Sequence, residues 1–214
     1  MEPATAFERD ARTRTRTAGL LPSPTSPTVL AMDWHPDDHE RLLEQIWAKL
    51  SGAKADRGAA WRTPVIATQD ADGPQARVVV LRDVVPASAE LAFHTDRRSP
   101  KVDQLRTDPR LQWVFWDPRT ETQLRAYATA SLHFDDALAD AAWSRQHDGT
   151  RSVFSTARAP GGFFRRGEAT VEPRVNFVWV VTKVASFDWL WLTSPEHRRV
   201  RFDLQTQQGH RVVP

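Results

Sequence analysis

The chain has 214 residues, a formal net charge of +2 and no cysteine. That length allows one substantial core or two small ones, and nine Trp and ten Phe within 40% hydrophobic content argue for a packed globular chain. The composition excludes disulfides, thiolate catalysis and cysteine-held metal centres, and its charge balance demands no nucleic-acid partner. No apolar run approaches the roughly 18 residues of a membrane span. With no secretory h-region after the start, the expectation is a soluble cytoplasmic protein.

Met1–Ala31 is rich in Thr, Pro and Arg, with little apolar periodicity. It reads as a mobile arm, taken as residues 1–33 ahead of a single domain over 34–214. Its Arg12, Arg14 and Arg16 read as solvated rather than as contacts to nucleic acid or an import receptor. Asp37–Leu50 predicts a helix, capped by Asp37 or Asp38, with Leu42, Leu43, Ile46, Trp47 and Leu50 as one stripe. His35 and His39 find no third convincing ligand, so no metal site is assigned. Ser51–Ala60 reads as a loop and Trp61–Thr68 as a strand. The Asp70–Pro74 turn joins that strand to a second at Gln75–Arg82, as a hairpin.

Gln75–Arg82 is rich in β-branched residues. Alternation puts Val78, Val80 and Arg82 on one face and Arg77, Val79 and Leu81 on the other, so the strand reads as buried in its middle with charged ends. Leu91–Thr95 reads as its partner. Ser99 fits a helix N-cap and Pro100 the first helical position, over Lys101–Thr107. A helix start of this kind can hold a phosphate, and Lys101 adds a full charge. Strands follow at Leu111–Trp116 and Thr122–Phe134. Asp135 then caps a helix to about His147, with Ala137, Leu138, Ala141 and Ala142 facing inward. Gly149–Pro173 reads as a long loop. Val175–Val184 is a strand, Phe187–Leu192 and Arg198–Leu204 a hairpin, and the chain closes on Arg211–Pro214. The fold class is mainly β with peripheral helices, and a closed barrel would leave no free edges.

The ordered series RVVVLR, FHTD, RSPK, WVFWD and ETQLRAYATA resembles the FMN-binding split β-barrel of the pyridoxamine 5′-phosphate oxidase family. It is most similar to a branch of smaller oxidase-like proteins whose chains end in an HRR segment. The resemblance covers about Trp34 to Pro214. It implies FMN as cofactor, a homodimer with FMN at the subunit interface, and an oxidoreductase in which no protein acid or base is required. By this resemblance Arg77, Val78, Val79, Val80, Leu81 and Arg82 lie along the flavin. Arg77, Lys101 and Ser99 hold its phosphate, and His94 and Thr95 occupy the family's Tyr-Thr pair. Gln123 comes from the partner subunit, and Trp191 and Arg201, ten residues apart, close over the flavin.

The substrate half of the pattern is eroded. Pro100-Lys101 stands where the family has Arg-Lys. Of a Tyr, Arg and Ser spaced by four, only Arg145 fits, with Ala141 and Gly149 at the other positions. His197-Arg198-Arg199 replaces Arg-Leu-His. Arg145, His197 and Arg199 are therefore the candidate substrate contacts, and a small anionic substrate is favoured over pyridoxamine 5′-phosphate specifically. Each residue also has a structural explanation: rim charges, an exposed lysine, a core tryptophan, or Gln123 and Arg125 pairing across strands. A non-catalytic split barrel holding a flavin, haem or deazaflavin is the alternative, with His94 or His197 as haem ligands. The chain lacks a GxGxxG after a strand and a GxSxG, which disfavours dinucleotide and serine-hydrolase chemistry.

Overall fold

The computed structural model describes residues 34–163, 169–193 and 195–214. The arm with Arg12, Arg14 and Arg16, and residues 164–168 of the long loop, lie outside the described residues.

The first helix, α1 (His39–Ala55), starts where Asp38 accepts the Arg41 backbone N–H at 3.1 Å. Leu42, Ile46, Leu50 and Ala53 form its buried stripe. It runs five residues beyond the expected end at Leu50, because Ala53 packs into the core and Arg62 donates to the carbonyls of Ala53 and Lys54. Trp61 therefore opens no strand. It sits in a 3₁₀ turn, fully buried, and strand β1 begins only at Val65 (Val65–Asp70).

Strand β2 (Gly73–Val78) pairs antiparallel with β1, as the hairpin reading expects, around a turn in which Gly73 has φ 115°. The expected strand through Arg82 is cut short at Val78. Val79 N–H donates to the Pro64 carbonyl and Leu81 N–H to that of Arg62, but Pro64 has no N–H to return. Val78 is 63% exposed, so this stretch is not buried on both faces. After it come β3 (Asp83–Val85) and β4 (Glu90–Asp96), which pair with each other. The Leu91–Thr95 segment thus partners β3 and a later strand rather than β2.

Helix α2 (Pro100–Thr107) leads to β5 (Arg110–Asp117) and β6 (Thr122–His133). Helix α3 (Ala137–Ser144) is capped by Asp136, one residue later than expected. That shift buries Ala139 and Ala142 and leaves Leu138 54% exposed. A short α4 (Asp148–Arg151) and a 3₁₀ turn then occupy the first part of the expected loop and bury Phe154. Strand β7 (Phe177–Trp191) runs unbroken through two expected strands. Its register against β6 shifts between Tyr127 and Ala128, and the carbonyl of Ala185 accepts the Leu204 N–H. Strands β8 (Arg198–Asp203) and β9 (Gln208–Arg211) complete the sheet.

The sheet has the order β2-β1-β5-β6-β7-β4-β3, with β8 on β7 and β9 on β8. It is a split, mainly antiparallel sheet and is not closed: β2 and β3 remain edges. Its inner face and α1 enclose the main core, which includes Trp34, Trp61, Trp113 and Trp189. Lys49 reaches into that core, 4.6 Å from the Trp61 ring and 2.8 Å from Asp117. A smaller cluster of Ala92, Ala139, Ala142, Phe154, Phe177 and Trp179 seats α3 on β4 and β7. No helix among the described residues is long and apolar enough to cross a membrane.

Candidate functional site

Three groups of predicted site residues emerge, on different parts of the sheet. The first forms where β1, β2, the end of β4 and the start of α2 meet. Arg77 donates from Nη1 to Thr68 Oγ1 at 2.5 Å and from Nη2 to Gln104 Oε1 at 3.0 Å. Lys101 donates to Thr95 Oγ1 at 3.0 Å and to Ser99 Oγ at 2.6 Å. Ser99 holds the N-cap position of α2, but its side chain makes no cap bond. Its hydroxyl is turned to Lys101 instead. Burial, and then the neighbouring Arg77 charge, lower the pKa of Lys101 from its ordinary value. Two cations, three hydroxyls and a helix N-terminus thus converge, the donor set that a phosphate requires. Arg97 and Arg98, just ahead of Ser99, are used elsewhere: Arg97 pairs with Asp135 at 2.9 Å and Arg98 with Asp96 at 2.7 Å. Thr68 and Gln104 were not legible as site residues, although a glutamine three residues beyond Lys101 lies on the same helix face.

Between this group and Arg82, side chains alternate. Val79 and Leu81 pack inward, while Val78 and Val80 face away from the core. Arg82 stands apart from Arg77. It lines a cavity of about 530 Å³ with Arg57, Arg62 and Arg145. His94 is next to it: burial, and then the Arg82 charge, push His94 down to about 3. Its ring packs against Phe154 and Phe177, and its Nε2 has no hydrogen-bond partner among the described residues.

The second group lies on the outward face of β6, β7 and β8. Registers place Val78, Val65, Val114, Arg125, Asp188 and Arg201 in one row across six strands. Asp188, only 2% exposed, accepts from Arg125, from Arg199 at 2.9 and 2.8 Å, and from Arg201 at 3.1 Å. Burial raises the Asp188 pKa, but the hydrogen bonds of Arg199 and Arg125 outweigh it and leave the carboxyl below its usual range. Gln123 shares this face, one register step away, opposite Leu190. Trp191 packs on Trp189 at the core margin, 6.2 Å between rings. The Arg125–Asp188 ion pair was not read from the sequence. The signal was a lone carboxylate in the aromatic run Phe187–Trp191, which demands a buried partner.

Within one chain, Gln123, Trp191 and Arg201 do not join Arg77 and Lys101. Strands β1 and β5 stand between β2 and β6. Arg145 is likewise apart from His197 and Arg199: the first lines the Arg82 cavity, and the others lie on or just before β8. Arg198 is engaged by Asp37 and Glu196. A larger cavity, about 760 Å³, opens between α1, the 3₁₀ turn at Pro86–Ser88 and β7. None of the predicted site residues lines it.

Residues 42–133 match the family model of the pyridoxamine 5′-phosphate oxidase FMN-binding domain. The resemblance drawn from the ordered motifs is thereby borne out. No curated protein matches the sequence. Among solved structures, a pyridoxamine 5′-phosphate oxidase-related, FMN-binding protein from Nostoc punctiforme is similar at 24% identity. The likeness covers 78% of this chain and 95% of that one, with a TM-score of 0.66. PhzG from Burkholderia lata, solved with tetrahydrophenazine-1-carboxylic acid, is similar at 16% identity over 84% of this chain and 96% of that one, TM-score 0.66. A Clostridium acetobutylicum protein related to general stress protein 26 follows at 12% identity, 79% and 99% coverage and TM-score 0.56. At these identities the likeness is one of fold.

Proposed function

We propose that this protein is an FMN-dependent oxidoreductase of the pyridoxamine 5′-phosphate oxidase-like type, acting on a small anionic donor. The observation that carries the reading is the convergence of Arg77 and Lys101, with Ser99 and Thr95, at the start of α2. The residues present fit the cofactor. Arg77, Lys101 and Ser99 would hold its phosphate, and Val78 to Leu81 would run along its ring. When bound, FMN supplies a hydride acceptor. The chain's own residues orient the donor and exclude water.

The site is completed by a second copy of a single domain spanning 34–214. Val78, Trp116 and Tyr127 are exposed on the outward sheet face, and aromatic and arginine-rich faces of this kind are typical of interface cores. In that homodimer Gln123, Trp191 and Arg201 of one subunit meet the phosphate group of the other. His197, Arg199 and Arg145 would rim the donor. We assign the protein to the cytoplasm, with neither a nucleic-acid nor a membrane partner.

The test is the visible spectrum of the purified protein, followed by anaerobic reduction with a panel of donors. A yellow protein bleached by an anionic donor is expected. A colourless protein that takes up no FMN would sink the reading. Reduction by a reduced nicotinamide cofactor, but by no other anionic donor, would move it among flavin reductases.

A further inference from the structure

The cavity of about 760 Å³ between α1, the Pro86–Ser88 turn and β7 lies apart from every residue assigned to the flavin or its donor. Glu40, Leu43, Glu44 and Trp47 recur at helical spacing, so one stripe of α1 forms one of its walls. Leu43, Trp47, Pro86, Val184 and Leu204 make much of the lining apolar. Trp47 is half-buried, its ring 4.9 Å from that of Phe187. An indole so placed offers a surface to apolar groups and to cations alike.

The charges around this lining do not balance. Glu40, Glu44 and Asp203 bring three carboxylates, and Lys183 is the one cation. Its ammonium is already engaged by the Ser88 carbonyl. Among the described residues Glu40 and Glu44 pair with no cation. Asp203 accepts the N–H groups of Thr206 at 3.0 Å and Gln205 at 2.8 Å, which hold its carboxyl below the usual range and keep it ionised. Like charges four residues apart on a helix repel, so Glu40 and Glu44 weaken α1 until a cation sits between them.

The backbone opposite α1 is also bent to shape. The described non-glycine residues in the left-handed region are Ala89, Glu121 and Gln207. Ala89 and Gln207, at φ 50° and 57°, both line this cavity. Between them lies Ala185, which the register shift between β6 and β7 leaves without a partner on β6. Strained backbone of this kind collects around ligand sites.

We propose that this cavity is a second ligand site, taking a small organic cation whose ammonium group is held by Glu40 and Glu44 and whose apolar body lies against Leu43, Trp47 and Val184. A bare metal ion would leave the apolar wall unused, and an anion would meet three carboxylates. The volume suits a small molecule. The site is independent of the flavin reading, because it shares no residue with the phosphate group at Arg77 and Lys101.

Calorimetric titration of the full chain, carrying whatever cofactor it purifies with, tests this at neutral pH and constant ionic strength. Phenethylammonium is the probe. Hydrocinnamate has the same apolar body with a carboxylate, and methylammonium has the charge without the body. Phenethylammonium is expected to bind at least about tenfold more tightly than either. Glu44→Gln should weaken that binding by about tenfold or more. Glu44 is exposed, and its loss relieves a repulsion, so the variant should melt at or above the wild-type temperature. Hydrocinnamate or methylammonium binding as tightly as phenethylammonium, or a Glu44→Gln protein that binds phenethylammonium like wild type, overturns the proposal. A colourless protein with Glu44-dependent binding sinks the flavin reading alone. A yellow protein that takes up no phenethylammonium sinks this one alone.

Discussion

Arg199 grips Asp188 with two nitrogens across the β7–β8 pair, Nε to Oδ1 at 2.9 Å and Nη2 to Oδ2 at 2.8 Å. A residue expected from the sequence to contact substrate is thus engaged in the fold through two of its guanidinium nitrogens. Because Asp188 is buried and shared by three arginines, Asp188→Ala leaves those charges without a counter-ion. It should cost about 3–5 kcal/mol of stability. Arg201→Ala, at a side chain 59% exposed, should cost less than about 1 kcal/mol. Urea denaturation of both variants checks the contrast. Equal midpoints would show that Asp188 is not the hub of this cluster.

The phosphate assignment predicts a graded loss of FMN affinity. Arg77→Ala or Lys101→Ala should each weaken binding about ten- to a hundredfold, as expected for a charged hydrogen bond. Riboflavin, which lacks the phosphate, should bind more weakly than FMN. Thr68→Val removes one of the two acceptors that steady Arg77, along with the hydroxyl's own bond to Gln104, and should have a smaller effect. Fluorescence titration measures all four. If Arg77→Ala and Lys101→Ala bind FMN like wild type, the phosphate lies elsewhere.

The residues legible in the sequence were those whose role is local. Asp38 as cap, the stripe of Leu42, Ile46 and Leu50, the Gly73 turn and the Pro100 helix start all follow from propensity and spacing. What the sequence hid depends on tertiary partners. The end of β2 at Val78 is set by Pro64, just ahead of the neighbouring strand, and the length of α1 by Arg62 after it. The joining of two expected strands into β7 depends on a bulge at Ala185, which lets one strand serve β4 and β8 in turn. The gathering of Arg77, Ser99 and Lys101 was legible because all three sit on motif positions. Arg57 and Arg62 carry no motif, and only the fold brings them to Arg82.

Close packing at β9 gives a separate test. A Cβ on Gly209 would lie 2.7 Å from Phe202 Cε1 and 3.0 Å from His39 Cβ. Phe202 is buried and packs against the His39 ring, so its side chain has little room to withdraw. Gly209→Ala should therefore destabilise the protein by about 1–3 kcal/mol with an unchanged denaturant slope. An unchanged midpoint would mean that β9 moves freely off α1.

His94 should make stability pH-dependent with a definite sign. Its folded pKa is about 3, against about 6.5 in an unfolded chain, first through burial and then through Arg82. Between those values the unfolded chain binds a proton that the folded protein does not, so stability rises with pH across the window and falls as pH drops through it. Above about 6.5 both states are neutral at this position and the contribution is constant. At pH 5 the loss from His94 alone is about 2 kcal/mol. His94→Phe removes the proton site and keeps an aromatic ring against Phe154 and Phe177. Its stability should therefore fall less than that of wild type between pH 7 and pH 5, by about that amount. Parallel pH profiles for the two proteins would mean that the imidazole reaches solvent and takes up its proton in the folded state.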